Sequence, residues 1–193
     1  MADLSRLSAR TGVARAVVED QLLDDEARGW VRRVSFGDSS GWTLTEPGRV
    51  EGERRVADEL ERTGARPVVD AAHATFARLN ERVLGSFTRW QIRPEPWDRM
   101  AANDHTDHRW DERVLDELAS HARRLAPVCA ELTSALDRFA GYDDRFASAL
   151  RRVEAGQRAW VDQSGIDSCH TVWIELHEDL VATLGLERGS DAR

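Results

Sequence analysis

The 193-residue chain is 41% hydrophobic and carries 35 acidic side chains against 27 basic ones, for a formal net charge of −8. That is enough apolar material for one moderate core or two small ones without staples, and the negative balance excludes a strongly basic nucleic-acid-binding tail. No apolar run approaches the roughly 18 to 20 residues that span a bilayer and nothing near Met1 looks like a signal peptide, so the expectation is a cytoplasmic protein with no membrane partner.

Taken in chain order, Leu4, Leu7 and Ala9 form a short apolar stripe that Gly12 ends. A second helix is expected from Ala14 to about Arg28, with Val17, Val18, Leu22 and Leu23 at helical spacing and Gly29 in the usual C′ place. Two helices joined by a short glycine-containing turn make a helix-turn-helix. Gly29 to Phe36 then reads as a strand and Trp42 to Leu44 as its returning partner. Between them lies a loop of Gly37-Asp38-Ser39-Ser40-Gly41, whose residue types suit a hairpin turn with positive φ.

On these residues the first quarter of the chain resembles the winged helix of the MarR and PadR regulator families. The resemblance is carried by Leu7 to Val13, by Gly29-Trp30-Val31 and by Trp42-Thr43-Leu44-Thr45-Glu46-Pro47-Gly48. The last of these, an aromatic residue, then Leu-Thr, then a glycine three residues on, is its most specific part. It implies a mainly α fold, with a winged-helix domain over 1–47 that has a two-stranded wing, followed by an antiparallel helical bundle over 48–193. Such domains open with one more helix, and with Met1, Ala2 and Asp3 alone before the first stripe the expectation is that this helix is absent or that the start is truncated. It also implies double-stranded DNA as partner, a homodimer, and a helical region for pairing and effector sensing.

The second helix carries Glu19, Asp20, Asp24, Asp25 and Glu26 against Arg15 and Arg28, a face that repels phosphate. DNA contact is therefore expected from the N-terminal half of that helix, with Arg15, the wing residues Arg32 and Arg33, and Arg49 as the binding side chains.

From Pro47 the pattern is helical. Val50, Val56, Ala57 and Leu60 form one stripe, closed by Thr63-Gly64. Pro67 suits the first turn of the next helix, which carries Val68, Val69, Ala72, Phe76, Leu79, Val83 and Leu84. Phe87 to Ala102 reads as a Pro- and Trp-containing loop. Helical spacing returns at Trp110, Val114, Leu115, Leu118 and Ala122, and Pro127 is expected to break or kink it. Gly141 opens a further helix that Gly156 ends, and the last runs from about Ser168 to Leu184 with Gly185 as its stop. Cys129 and Cys169 belong to no metal-spacing pair, which reads as two reduced, partly buried thiols.

Two polar constellations stand out. Asn103 to Asp111 gathers residues that suit a helix N-terminus, where Asn103, Asp104, Thr106 or Asp107 can cap the first turn. Cys169 to Leu180 places His170 and His177 two turns apart along the border of an apolar face, the ordinary place of a hydrogen-bonded core histidine. Were the two stretches to pack together, His105, His108, Asp111, His170, His177 and Glu178 could form one effector pocket. Such a pocket could take a divalent metal or an anionic small molecule. No His-Glu-x-x-His, P-loop, Gly-x-Ser-x-Gly or Cys-x-x-Cys is read in the chain, so no residue is assigned a catalytic role. The competing reading is a cytosolic helical protein that binds a ligand or metal, or acts as an enzyme, with its winged helix kept as an assembly surface.

Overall fold

The computed structural model describes residues 2–37 and 39–186 of the chain. Among these lie seven α-helices and one two-stranded sheet, so the protein is mainly α with a hairpin among its N-terminal helices. The chain divides into two compact units, Met1–Glu59 and Leu60–Arg193.

In the first unit, α1 (Leu4–Thr11) opens where the Asp3 carboxylate accepts the Arg6 N–H at 2.9 Å, and closes at Gly12, whose φ of 67° suits a residue without Cβ. After a turn, α2 (Arg15–Ala27) runs to the hairpin of β1 (Val31–Phe36) and β2 (Ser39–Leu44). These strands are antiparallel, with Phe36 opposite Ser39. The five-residue loop expected from the sequence is therefore shorter: Ser39, Ser40 and Gly41 belong to β2. Gly37 (φ 57°) supplies the positive φ that a two-residue hairpin turn demands, while Asp38 lies outside the described residues. Ahead of α1, Ala2 pairs with Trp42 in both directions, Ala2 N to Trp42 O at 2.9 Å and Trp42 N to Ala2 O at 2.8 Å.

The segment Thr45 to Gly48 ties the hairpin to α3 (Glu46–Thr63). The Thr45 hydroxyl donates to the Gly29 carbonyl at 2.5 Å and accepts the Gly48 N–H at 3.1 Å, and the Thr45 N–H donates to the Trp30 carbonyl at 2.9 Å. Gly48 lies flat against that same carbonyl. A Cβ added there would sit 1.7 Å from the Trp30 oxygen.

The second unit is built from α4 (Arg66–Gln91), α5 (His108–Ala135), α6 (Tyr142–Glu154) and α7 (Cys169–Leu184), with short 3-10 turns at Asp137–Phe139 and Arg158–Trp160. Each helix packs on the next and α7 returns to α4. The contacts run in opposite senses along each neighbouring pair, as in an antiparallel bundle. Between α4 and α5, Ser86 faces Glu117 while Arg89 faces Trp110. Between α4 and α7, Phe76 stacks on Trp173 and Phe87 meets His170. Between α6 and α7, Tyr142 donates to Asp179, and Arg145 bridges Asp167 (2.9 Å) and Glu175 (2.6 Å). Val69, Phe76, Val83, Leu118, Leu125, Leu132, Phe146 and Leu176 are fully covered. Each contributes roughly 1.5 to 3 kcal/mol by transfer from water. Cys129 and Cys169 are shut into this core, and burial pushes both thiols up to about 12.

Two sequence expectations for this unit also need correction. Helix α4 runs on to Gln91 before the loop begins, because Phe87 and Trp90 continue its buried stripe. Helix α5 runs through Pro127 without a break. The apolar stripe on either side, Val114, Leu118 and Leu125 before and Val128 and Leu132 after, is buried along one face. That burial outweighs the hydrogen bond a proline removes, a cost of about 3 kcal/mol.

Candidate functional site

Among the side chains singled out from the sequence, the structure brings two arginines of the first unit together. The turn from α1 to α2 is fastened by Ser8, whose hydroxyl donates to the Val13 carbonyl at 2.6 Å, and by Thr11, whose hydroxyl accepts the Val13 N–H at 3.3 Å. This fixes the start of α2 beside α1. Arg15 donates from Nη1 to the Ser5 hydroxyl at 2.9 Å. Across the hairpin Arg33 lies over its directly opposed partner Trp42, 4.7 Å from the ring centroid, a cation–π contact. Arg15 and Arg33 line one hollow of about 330 Å3, together with Asp3, Ser5, Glu19 and Trp42.

The other two arginines are placed differently. Arg32 and Arg33 are consecutive strand residues and so project from opposite faces of the hairpin. Arg49 lies in the first turn of α3, 3.7 Å from Glu46. The acids of α2 are largely engaged near its C-terminal end. Asp25 accepts from Gln21 and Arg28, Asp24 lies 4.0 Å from Arg28, and Glu26 accepts the Arg33 N–H at 3.3 Å. Glu19 remains beside Arg15 in the hollow.

In the second unit, His105 and Asp111 meet. Asp111 is 5% exposed and accepts from the Asn103 side-chain amide at 2.9 Å and from His105 Nδ1 at 3.0 Å. Opposite a carboxylate Nδ1 is the donor and carries a proton. The ring lies 4.4 Å from Trp90, and His105 holds a φ of 58°, in the left-handed region unusual for a residue with a Cβ. Asn103 also donates to the Trp90 carbonyl at 2.9 Å, so the loop after α4 is clasped to the ends of α4 and α5. Asp107 caps α5 by accepting the Trp110 N–H at 3.1 Å, and Asp104 accepts from Thr106.

The other histidines of that set do not join this pair, and Glu178 follows His177 on α7. His108 is exposed in the first turn of α5. His170 meets Phe87 edge-on at 4.9 Å, whereas His177 stacks on Phe76 at 6.0 Å. Seven residues along a helix separate these two rings by roughly 10 Å, too far to share one ion. Among the described residues no group of three His, Cys, Asp or Glu side chains is placed to hold a metal.

The sequence reading passed over His121, which α5 buries against α4, and its exclusion of Gly-x-Ser-x-Gly needs correction. Gly37-Asp38-Ser39-Ser40-Gly41 matches Gly-x-Ser-x-Gly, but Ser39 pairs within a hairpin and not at the strand-to-helix elbow a nucleophile requires. Burial lowers both His121 and His170 from their ordinary value of 6.5. Their folded pKa lies below the unfolded one, so the unfolded chain binds more protons in that interval. Their contribution to stability is complete above pH 6.5 and is lost as pH falls below it. The urea midpoint should therefore drop between pH 7.5 and 5.5, and His121→Gln should flatten the drop. An equal fall in the variant would remove His121 from the account.

No family model, curated protein or solved structure matches the chain. Among the described residues no helix is long and apolar enough to cross a membrane.

Proposed function

We propose that this chain is a cytoplasmic DNA-binding regulator. Its N-terminal helix-turn-helix and hairpin touch duplex DNA, and its helical unit pairs two copies and senses an effector. The observation that carries the reading is the convergence of Arg15, at the start of the second helix of the helix-turn-helix, with Arg33 of the hairpin in one open hollow. Two guanidiniums presented from a helix start and a wing suit neighbouring phosphates of one groove edge.

Fluorescence anisotropy with a pool of genomic duplexes tests it. Binding should weaken with salt, and Arg15→Ala and Arg33→Ala should each cost about tenfold and each lower the salt slope by about 1. Arg32→Ala, on the opposite face, should cost less than either. Absence of salt-sensitive association, or parental affinity in both Arg15→Ala and Arg33→Ala, would end the proposal. A monomer at micromolar concentration in sedimentation would remove the pairing of two copies. The second reading, a helical ligand-binding protein, is favoured by the His105–Asp111 pair, which fixes an imidazole beside Trp90.

A further inference from the structure

Helix α4 carries a glycine, Gly85, in the interior of its 26 residues, where glycine costs about 1 kcal/mol relative to alanine. The space is used. A Cβ at Gly85 would lie 3.4 Å from Arg89 Nη1, so the Arg89 guanidinium lies back across the bare turn. Arg82, Gly85 and Arg89 share a face of α4, at offsets of three and four residues. Glu117 and His121, one turn apart on α5, face them. With Glu81 these residues line a cleft of about 510 Å3.

The hydrogen bonds in this cleft are incomplete in a particular way. Ser86, fully buried, donates its one hydroxyl proton best to Glu117, at 2.8 Å, and the same carboxylate receives Arg89 Nη2. The Ser86 oxygen is then an acceptor for His121 Nε2 at 3.4 Å, which assigns the ring proton to Nε2. His121 Nδ1 is left with no hydrogen-bond partner among the described residues, although the residue is 7% exposed. A buried orphan of this kind costs about 1 to 3 kcal/mol.

Guanidinium donors are left unused at the same place. Among the described residues Arg82 pairs with no carboxylate, and Arg89 engages Nη2 alone, leaving Nε and Nη1 unused. Glu117 compensates Arg89 alone, through Nη2. Burial acts to raise its carboxyl, but the hydrogen bonds from Arg89 and Ser86 outweigh this and hold it below the usual range.

We infer that the cleft between α4 and α5 at Gly85 is a binding site for a small oxyanion of the phosphate or sulfate class, held between Arg82 and the free edge of Arg89 beside His121. Planar guanidinium forks match the spacing of such oxygens. Burial, with Arg124, Arg82 and Arg89, holds the His121 ring below its ordinary value against the opposing pull of Glu117. An anion among these arginines reverses that balance, so Nδ1 gains a proton and a partner in one step. The orphan nitrogen and the unused guanidinium N–H groups thus have the same remedy. Glu81 stands at the edge, exposed.

The test uses the full chain without DNA, so it stands or falls apart from the regulator reading. Histidine ring resonances are followed by NMR while sulfate replaces chloride at constant ionic strength near pH 6.5, with His121→Gln identifying its signal. The His121 resonance should move saturably toward the protonated position, and Arg82→Gln should weaken the midpoint at least tenfold. Arg109→Gln, an exposed arginine of α5 outside the cleft, should leave it unchanged. An unmoved His121, parallel unsaturated drift of all the histidines, or equal midpoints in Arg82→Gln and the parent would overturn the inference. Inorganic phosphate run beside sulfate separates the two anion classes by which binds tighter.

Discussion

Gly48→Ala should unfold the N-terminal unit, with a loss of about 3 kcal/mol or more. The backbone φ at this glycine is not the reason, since Gly48 lies in a helix. The reason is contact: the new Cβ would stand 1.7 Å from the Trp30 oxygen and 2.5 Å from its carbon, both backbone atoms that no rotamer can withdraw. Relief requires the start of β1 to leave the start of α3. That movement breaks the bond from the Thr45 N–H to the Trp30 carbonyl and the pair the Thr45 hydroxyl makes to Gly29 and Gly48. Overpacking ordinarily costs about 1 to 3 kcal/mol, and a backbone overlap belongs at or beyond the upper end. Hydrogen exchange checks it. Amides of β1, β2 and α2 should exchange far faster in the variant while those of α4 to α7 keep their protection. Unchanged exchange in the hairpin would show that the unit yields without breaking.

Trp173→Ala should remove about 3 to 5 kcal/mol from the helical unit. Trp173 is 1% exposed, stacks on Phe76 at 4.6 Å and meets Phe146 at 5.9 Å, so its ring joins α4, α6 and α7. Truncating a buried tryptophan loses the transfer term and leaves a cavity that three helices cannot close together. Its indole N–H also donates to Asn80 at 2.8 Å. Trp173→Phe keeps most of the ring and loses that bond, which is worth about 1 kcal/mol. Urea unfolding followed by circular dichroism should thus rank parent, then Trp173→Phe, then Trp173→Ala. If the two variants unfold at the same midpoint, the hydrogen bond and not the packing holds this junction.

Most of the helical architecture was legible because its stops are chemically plain. Gly12, Gly64, Gly141 and Gly185 all take positive φ at helix boundaries where the sequence placed them. The hairpin was visible too, but its register was not: alternation is weak in Ser39-Ser40-Gly41, so the residues that extend β2 looked like loop. Pro127 misled because a local rule was applied without the buried stripe around it.

For the sites, helical spacing anticipated that Asp107 could cap α5, yet it could not say which histidine would reach which carboxylate. That depends on how the 92–107 loop folds back, and Asn103, bonding to Trp90 and Asp111 together, decides it. His121 gave no local signal, since its partners Ser86 and Arg82 are more than 30 residues away. The one hint was the unexplained glycine at position 85.

The backbone at His105 has a consequence for how this protein changes over generations. A side chain in the left-handed region carries a standing penalty of roughly 1 kcal/mol that glycine would relieve and asparagine would ease. A lineage indifferent to the imidazole would drift toward those two residues. One that retains histidine there must gain more from the ring on its carboxylate than it forfeits in the chain.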